Sequence, residues 1–281
     1  MNYRHAFHAG NFADVHKHYV LVEILRYLLR KPQPLLYLDT HAGAGLYDLG
    51  SAEALRGNEW QEGIGKLLEA ELRPPALLHY LEVIQRAGRM RDAVIEHYPG
   101  SALIALALLR PEDRIVLVEA HELEAAKLSA TIGRRRNLSI LRQDGYAAIK
   151  AQVPPREKRG LILIDPPYES ADEFEQLARS LIENLRKWPS GIFCAWYPLK
   201  QGAPVEHFHN QLIQSGLRRL LISEINVHAA DSRLGLNGSG LVIANPPWQL
   251  DKVMTEALPQ LHAALSPTGS GGVRVQWLVG E

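Results

Sequence analysis

The chain has 281 residues, enough for one large domain with a substantial buried core. Its 31 basic and 31 acidic residues cancel, which removes the simple electrostatic case for a nucleic-acid binder and leaves any phosphate contact to local patches. No apolar run reaches the ~18 residues of a membrane helix, Met1-Asn2-Tyr3-Arg4-His5 is no signal peptide, and one cysteine excludes an internal disulfide, so a cytoplasmic protein with no membrane contact is expected.

Residues 1 to 18 are rich in histidine: His5, His8, His16 and His18, with Arg4, Lys17, Tyr3, Phe7 and Phe12 among them. No cysteine accompanies them and Asp14 is the only nearby carboxylate, so a metal site is not expected. From Ala13 the pattern becomes helical, with Val15, Val22, Leu25, Leu28 and Leu29 as an apolar stripe that ends at Pro32 and Pro34. Lys17 and His18 fall in the first turns of that helix. Leu35-Leu36-Tyr37-Leu38-Asp39 then reads as the first strand, followed by Thr40-His41-Ala42-Gly43-Ala44-Gly45. The glycine pair lets the backbone pass close to a ligand. Strand, acidic residue and Gly-x-Gly in that order resemble the loop that holds the methionine part of S-adenosylmethionine. His41 departs from the aromatic or small residue usual there, which makes it a candidate contact.

Residues 46 to 98 interrupt the sheet pattern. Glu62 to Leu68 and Leu77 to Ile84 read as short amphipathic helices parted by Pro74 and Pro75, an inserted helical subdomain that ends at Tyr98-Pro99-Gly100-Ser101. Ala102 to Leu109 is then the sheet-covering helix, with Ser101 as its N-cap; a helix start facing a carboxylate-bearing cofactor serves both purposes. The second strand, Ile115 to Val118, ends in Glu119, placed to accept hydrogen bonds from ribose hydroxyls. Its distance from Asp39 far exceeds the usual ~20 residues, and the insertion explains the excess. A third strand, Leu138 to Gln143, closes with Asp144-Gly145, which resembles the position that holds the cofactor's adenine amine; the plain alternative is a turn. Arg134-Arg135-Arg136 and Arg156, Lys158 and Arg159 are either solvated surface or phosphate contacts.

Leu161-Ile162-Leu163-Ile164-Asp165-Pro166-Pro167-Tyr168 carries most of the chemistry. Four aliphatic residues make a strand buried on both faces, and the prolines forbid further ladder bonds. The chain therefore leaves the sheet at a carboxylate, and in open α/β sheets the carboxyl ends of strands bear the site. Asp-Pro-Pro-Tyr resembles the motif of amino-group methyltransferases acting on adenine or cytosine. An exocyclic amine is a poor nucleophile because its lone pair is delocalised into the ring, so two acceptors must orient it. The Asp165 carboxylate and the Pro166 carbonyl each take one N–H, and Tyr168 stacks on the extruded base. The carboxylate also offsets the positive charge that nitrogen gains in the transition state. Leu241 to Trp248 repeats the shape with Asn245 in place of aspartate, and reads as a structural echo near the C-terminus. After Tyr168 come a helix at 170 to 187, a strand at Ile192 to Tyr197 containing a small buried Cys194, a helix at Val205 to Ser215, and strands at 220 to 227 and 239 to 244 that complete the sheet. Between the last two, Asp231 to Gly238 is a polar loop able to border a substrate.

Taken whole, the chain resembles the bacterial large-subunit ribosomal RNA adenine-N6 methyltransferase J family. Tyr3-Arg4-His5, Phe7-His8-Ala9-Gly10-Asn11, Ala13-Asp14-Val15, Lys17-His18, Tyr37 to Gly45, Tyr98 to Ser101, Asp165 to Tyr168 and Asn245 to Trp248 carry the resemblance. It implies an α/β fold: a Rossmann-like class I S-adenosylmethionine-dependent methyltransferase sheet of seven strands, formed by 1–45 and 99–281, with 46–98 as the inserted helical subdomain. It implies cofactor contacts at His18, His41, Ser101, Glu119, Asp144 and Gly145, catalysis at Asp165, and a substrate side made by Tyr3, Pro166 and Tyr168. The expected partner is naked large-subunit ribosomal RNA before assembly, met by a monomer. The alternatives are a DNA adenine methyltransferase and a nucleic-acid-binding protein serving the use of external DNA.

Overall fold

The computed structural model describes residues 4–92, 94–229, 232, 235–266 and 268–280. The N-terminal helix α1 (Phe12–Leu28) starts where the Asn11 side chain accepts hydrogen bonds from the amides of Ala13 and Asp14. It leads into β1 (Leu36–Asp39), which is buried along its whole length.

Residues 46–98 hold β2 (Leu46–Asp48), α2 (Ala52–Gly57), α3 (Lys66–Glu69), α4 (Pro75–Ala87), β3 (Arg89–Arg91) and β4 (Val94–Pro99). Pro75 opens α4, where a missing amide hydrogen costs nothing. Besides the expected helices, this segment carries a small antiparallel sheet of β2, β4 and β3 that the sequence reading did not include. Its outer strands have three residues each, too few for a period-two pattern to register in the sequence.

The main sheet continues through α5 (Ser101–Leu108), β5 (Arg114–Val118), α6 (Glu122–Ile132), β6 (Leu138–Leu141), α7 (Gly145–Gln152) and β7 (Gly160–Ile164). The chain is completed by α8 (Glu173–Lys187), β8 (Ile192–Leu199), α9 (Val205–Gln214), β9 (Leu220–Asn226), β10 (Gly238–Ala244), α10 (Leu250–Leu265) and β11 (Gly272–Val279). Strand order is β11-β9-β10-β8-β7-β1-β5-β6, eight strands instead of the seven expected. The additional strand, β11, pairs with β9 and is half exposed, so its sequence lacks the unbroken apolar run of an inner strand. From β6 to β8 the pairing is parallel, and β10 runs antiparallel to both β8 and β9.

Two apolar layers flank the sheet. Leu161, Leu163, Cys194 and Leu241 face one layer, shared with α1, α4, α5, α6 and α10. Ile162, Ile164, Phe193 and Val242 face the other, under α7, α8 and α9. Ile64, Leu67, Tyr80 and Ile84 of the insertion belong to the same layer as α1, so this segment shares the main core.

Candidate active site

A cavity of about 700 Å³ opens over the carboxyl ends of β1, β5, β7 and β8. It takes His41 from the loop after β1, Glu119 from the end of β5, Asp165 to Tyr168 from the end of β7 and Trp196 from β8. Helix α1 supplies Asp14, Lys17 and His18, and the start of α5 supplies Ser101.

The Asp165 carboxylate is bound by Lys17, whose ammonium lies 2.5 Å from Oδ2 and 2.8 Å from Oδ1 of Asp14. Asp14 also accepts from the Gly10 amide and meets His5 Nε2 at 2.9 Å. Burial alone would raise the Asp14 carboxyl, but His5 and Lys17 outweigh it and hold the group well below the usual range. Burial likewise disfavours the Lys17 ammonium, and the two carboxylates more than reverse that, keeping it charged well above the ordinary lysine range. Among the described residues Lys17 is the only partner of Asp165, so Oδ1 is available to a substrate. Tyr168 adopts a left-handed backbone (φ 52°), an arrangement that costs energy for a non-glycine residue and is concentrated at functional sites. Its hydroxyl donates to the Trp196 carbonyl at 2.9 Å, and its ring lies against Phe174 and edge-on to Trp196.

On the other side of the cavity, Gly43 (φ 59°) carries the backbone beneath the Tyr47 hydroxyl; a Cβ there would lie 2.1 Å from that oxygen. Glu119 accepts the Gly43 amide at 2.9 Å on one oxygen and the His121 amide at 2.7 Å on the other, which leaves lone pairs on both for ribose hydroxyls. Burial raises its pKa. Ser101 is the first residue of α5, not its cap; Gly100 occupies the cap position, and the Ser101 hydroxyl donates instead to Asp39 Oδ2 at 2.6 Å. That correction has a simple cause: Asp39 is fully buried, its carboxyl pushed up to about 6 by desolvation, and it takes donors from Tyr37, Ser101 and the His41 amide. His18 and His41 are held neutral by burial, their pKa values lowered to about 3 and about 4.

The structure thus brings His18, His41, Ser101, Glu119, Asp165, Pro166 and Tyr168 to one cavity. Asp144 and Gly145 are not among the cavity-lining residues: Asp144 caps α7 through the Ala147 amide, and Gly145 packs against the 40–41 loop, where a Cβ would sit 2.6 Å from the Thr40 carbonyl. Tyr3 lies outside the described residues. Asn245 is at the opposite edge of the sheet, because β10 runs antiparallel, and donates to the carbonyls of Pro189 and Gly191. Arg134, Arg135 and Arg136 precede β6, and Arg156, Lys158 and Arg159 precede β7, so both basic groups also lie at the edge away from the cavity. Arg159 is occupied with the carbonyls of Leu28 and Gln33, and Arg156 with Glu157.

Sequence reasoning missed Lys17 as the partner of Asp165. One signal was present: a lysine in the first turns of a helix opposes the helix dipole, and Asp14 at i−3 marks it as paired. It also missed His121, whose Nδ1 is buried at the cavity without a hydrogen-bond partner among the described residues. That open polar atom, the free lone pairs of Glu119 and the glycine loop fit a nucleoside-bearing cofactor. Among the described residues no group of three His, Cys, Asp or Glu side chains is placed to hold a metal ion, and no helix is long and apolar enough to cross a membrane.

The strand order, the glycine loop after β1, the acidic end of β5 and the Asp-Pro-Pro-Tyr end of β7 define an S-adenosylmethionine-dependent methyltransferase of the Rossmann-like class. Residues 32–279 match the family model described as "Ribosomal RNA large subunit methyltransferase D, RlmJ". The chain belongs to that family. It is 39% identical over 281 residues to ribosomal RNA large subunit methyltransferase J of Escherichia coli, and 37% identical to the Haemophilus influenzae protein of the same name, with 100% of each chain covered in both cases. A crystal structure of a Legionella pneumophila protein superimposes with a TM-score of 0.86 at 33% identity, covering 96% of this chain and 98% of that one.

Proposed function

We propose that the enzyme methylates N6 of one adenine in large-subunit ribosomal RNA, drawn out of its helix into the slot between Asp165-Pro166 and Tyr168. The observation that carries this reading is the Asp165 carboxylate at the end of β7, with one oxygen bound to Lys17 and the other unengaged at the cavity. Lys17 fixes the rotation of the carboxylate, so Oδ1 accepts one amine N–H while the Pro166 carbonyl accepts the other. The lone pair of nitrogen is then directed out of the ring plane. When bound, the cofactor would supply an electrophilic methyl group on a sulfonium, its S–CH3 bond breaking to leave a neutral thioether as N–CH3 forms and one N–H proton being lost to solvent afterwards. As nitrogen becomes cationic, Asp165 stabilises it more than it stabilised the neutral amine. The buried Asp14 holds Lys17 in place throughout, and Tyr168 stacks on the base.

In the same reading His18, His41, Ser101 and Glu119 line the cofactor side, with Glu119 on the ribose. Asp144 and Gly145, which do not line the cavity, border its adenine through the 40–41 loop against which Gly145 packs. Residues 46–98 act as an insertion in a methyltransferase domain made of 1–45 and 99–281. The protein acts as a cytoplasmic monomer on large-subunit RNA not yet covered by ribosomal proteins, with affinity drawn from local basic groups and not from net charge. DNA adenine and external-DNA binding are not favoured, since the family's named members act on ribosomal RNA.

The test is transfer of labelled methyl from S-adenosylmethionine to protein-free large-subunit RNA lacking its own modifications, with digestion to identify the product. N6-methyladenosine at one site, abolished by Asp165→Ala with cofactor binding retained, is the expected result. Transfer to a matched DNA oligonucleotide but not to RNA, or full turnover by Asp165→Ala, refutes it.

A further inference from the structure

Trp196 stands on β8 at the cavity wall, and its orientation is set from outside the cavity. In the β8–β10 pairing Trp196 is opposite Leu241, so Ser239, two residues earlier, is its diagonal neighbour on the same face. The indole Nε1–H donates to Ser239 Oγ at 2.9 Å. Indole has no other polar atom, so this bond fixes the rotation of the ring. Ser239 Oγ lies 2.9 Å from His16 Nδ1, and His16 Nε2 lies 2.8 Å from Ser223 Oγ. All three side chains are fully buried. Desolvation lowers the His16 pKa to about 3, so its neutral ring presents one donor and one acceptor, one to each serine. On the cavity side Trp196 governs Tyr168 twice, by accepting its hydroxyl on the main-chain carbonyl at 2.9 Å and by an edge-to-face ring contact at 5.5 Å.

Building on the adenine reading above, we propose that Trp196 forms the second aromatic wall of the base slot, and that Ser239 and His16 are positioning residues that hold its indole against Tyr168. An apolar filling would have covered the sheet equally well. The polar chain from Ser223 through His16 and Ser239 ends at the one side chain of the group that reaches the cavity. With the two rings 77° apart, a base stacked on Tyr168 meets Trp196 along its edge, and that fixed stop sets the approach angle of the amine to Asp165; small errors in that angle act on turnover before they act on affinity.

Ser239→Ala removes the acceptor and leaves the ring free to rotate; Trp196→Phe keeps an aromatic wall but removes the donor, while Ser239 keeps His16. Each is expected to lower kcat on ribosomal RNA roughly tenfold to a hundredfold. KM for S-adenosylmethionine should stay within about twofold of the parent; Ser239→Ala, which strands a buried ring nitrogen of His16, should lower the melting temperature by about 2–12 °C, and Trp196→Phe by no more than a few degrees. In the parent, adding RNA to the enzyme loaded with S-adenosylhomocysteine should quench tryptophan emission, and Trp196→Phe should lose that quench. Parental kcat in Ser239→Ala overturns the proposal, as does a quench undiminished in Trp196→Phe. So does a joint fall of kcat, cofactor affinity and melting temperature, which would make the cluster general structural support. If Asp165→Ala is inactive while Ser239→Ala is fully active, this proposal fails and the adenine reading stands; if Asp165→Ala remains active, the adenine reading itself fails.

Discussion

Replacing Lys17 by Met keeps the length of the side chain and removes the ammonium from between two carboxylates. Asp14 and Lys17 are 2% and 6% exposed at the side chain, and Asp165 is 20% exposed. Breaking a buried ion pair typically costs about 3–5 kcal/mol, because the remaining charge is left without compensation. Two features place this site at the lower end: Asp14 keeps the Gly10 amide and His5, and Asp165 has access to water. A loss of about 3 kcal/mol corresponds to a fall in melting temperature of roughly 6–12 °C for a chain of this size. Turnover should drop roughly a hundredfold, since Asp165 loses the bond that sets its rotation. The pH dependence separates this account from a simple packing defect. In the parent, the depressed Asp14 pKa contributes stability that is fully present above the unfolded value of ~3.9 and is lost as pH falls toward the folded value. The raised Lys17 pKa contributes stability that is fully present below ~10.4 and is lost as pH rises through its folded value. Between pH 5 and 9 the cluster is therefore flat. In Lys17→Met, burial dominates at Asp14 and lifts its folded pKa, so the gap in stability between parent and variant should widen as pH rises from 4 to 7. Thermal melts across that range, followed by circular dichroism, decide the matter. A melting temperature within 1 °C of the parent at pH 7, or a gap independent of pH, refutes the reasoning.

Ser101→Ala removes a donor from Asp39, whose carboxyl is already pushed up to about 6. A raised carboxyl favours folding below its unfolded pKa and loses that contribution as pH rises through the folded value, so the variant should lose about 1–3 kcal/mol at pH 8 and less at pH 5, measured by urea titration. Gly43→Ala places a methyl against the Tyr47 hydroxyl in a left-handed backbone, and calorimetry should show cofactor affinity reduced at least tenfold. Asn245→Ala removes two hydrogen bonds to carbonyls at the far edge of the sheet; it should lower stability by about 1–3 kcal/mol in thermal melts and leave kcat unchanged.

What could be read from the sequence followed from burial on both faces. Leu36 to Asp39, Ile115 to Val118 and Leu161 to Ile164 are inner parallel strands whose apolar runs end abruptly at acidic residues, so strand and site are marked by the same few positions. The elements that escaped lack such a contrast. β11 is half exposed at the sheet edge, and β2 and β3 have three residues each. Ser101 was misassigned because a serine before an apolar helix is locally a good cap, whereas the buried Asp39, distant in sequence, is the stronger claimant for its hydroxyl. Asp144 shows the converse: the local capping role is the one the fold displays.

Helix α1 shows most directly why a stripe of apolar residues was an incomplete guide. Every residue from Ala13 to Leu25 is buried, so the helix has no solvent face on which polar groups can be discarded. Successive side chains of a helix point about 100° apart. His16, Lys17 and His18 are therefore sent in three directions: to the serines of β9 and β10, to Asp165 beyond β7, and to the Tyr98 hydroxyl of β4 at 2.8 Å. Each is a buried polar group that must find a partner, and the partners found are two serines, the Asp165 carboxylate and the Tyr98 hydroxyl. One helix thereby binds Asp165, the serine that holds the Trp196 indole, and Tyr98 of residues 46–98. The apolar residues of the helix bury it in the core, and its three polar positions settle which way round it lies against the cavity.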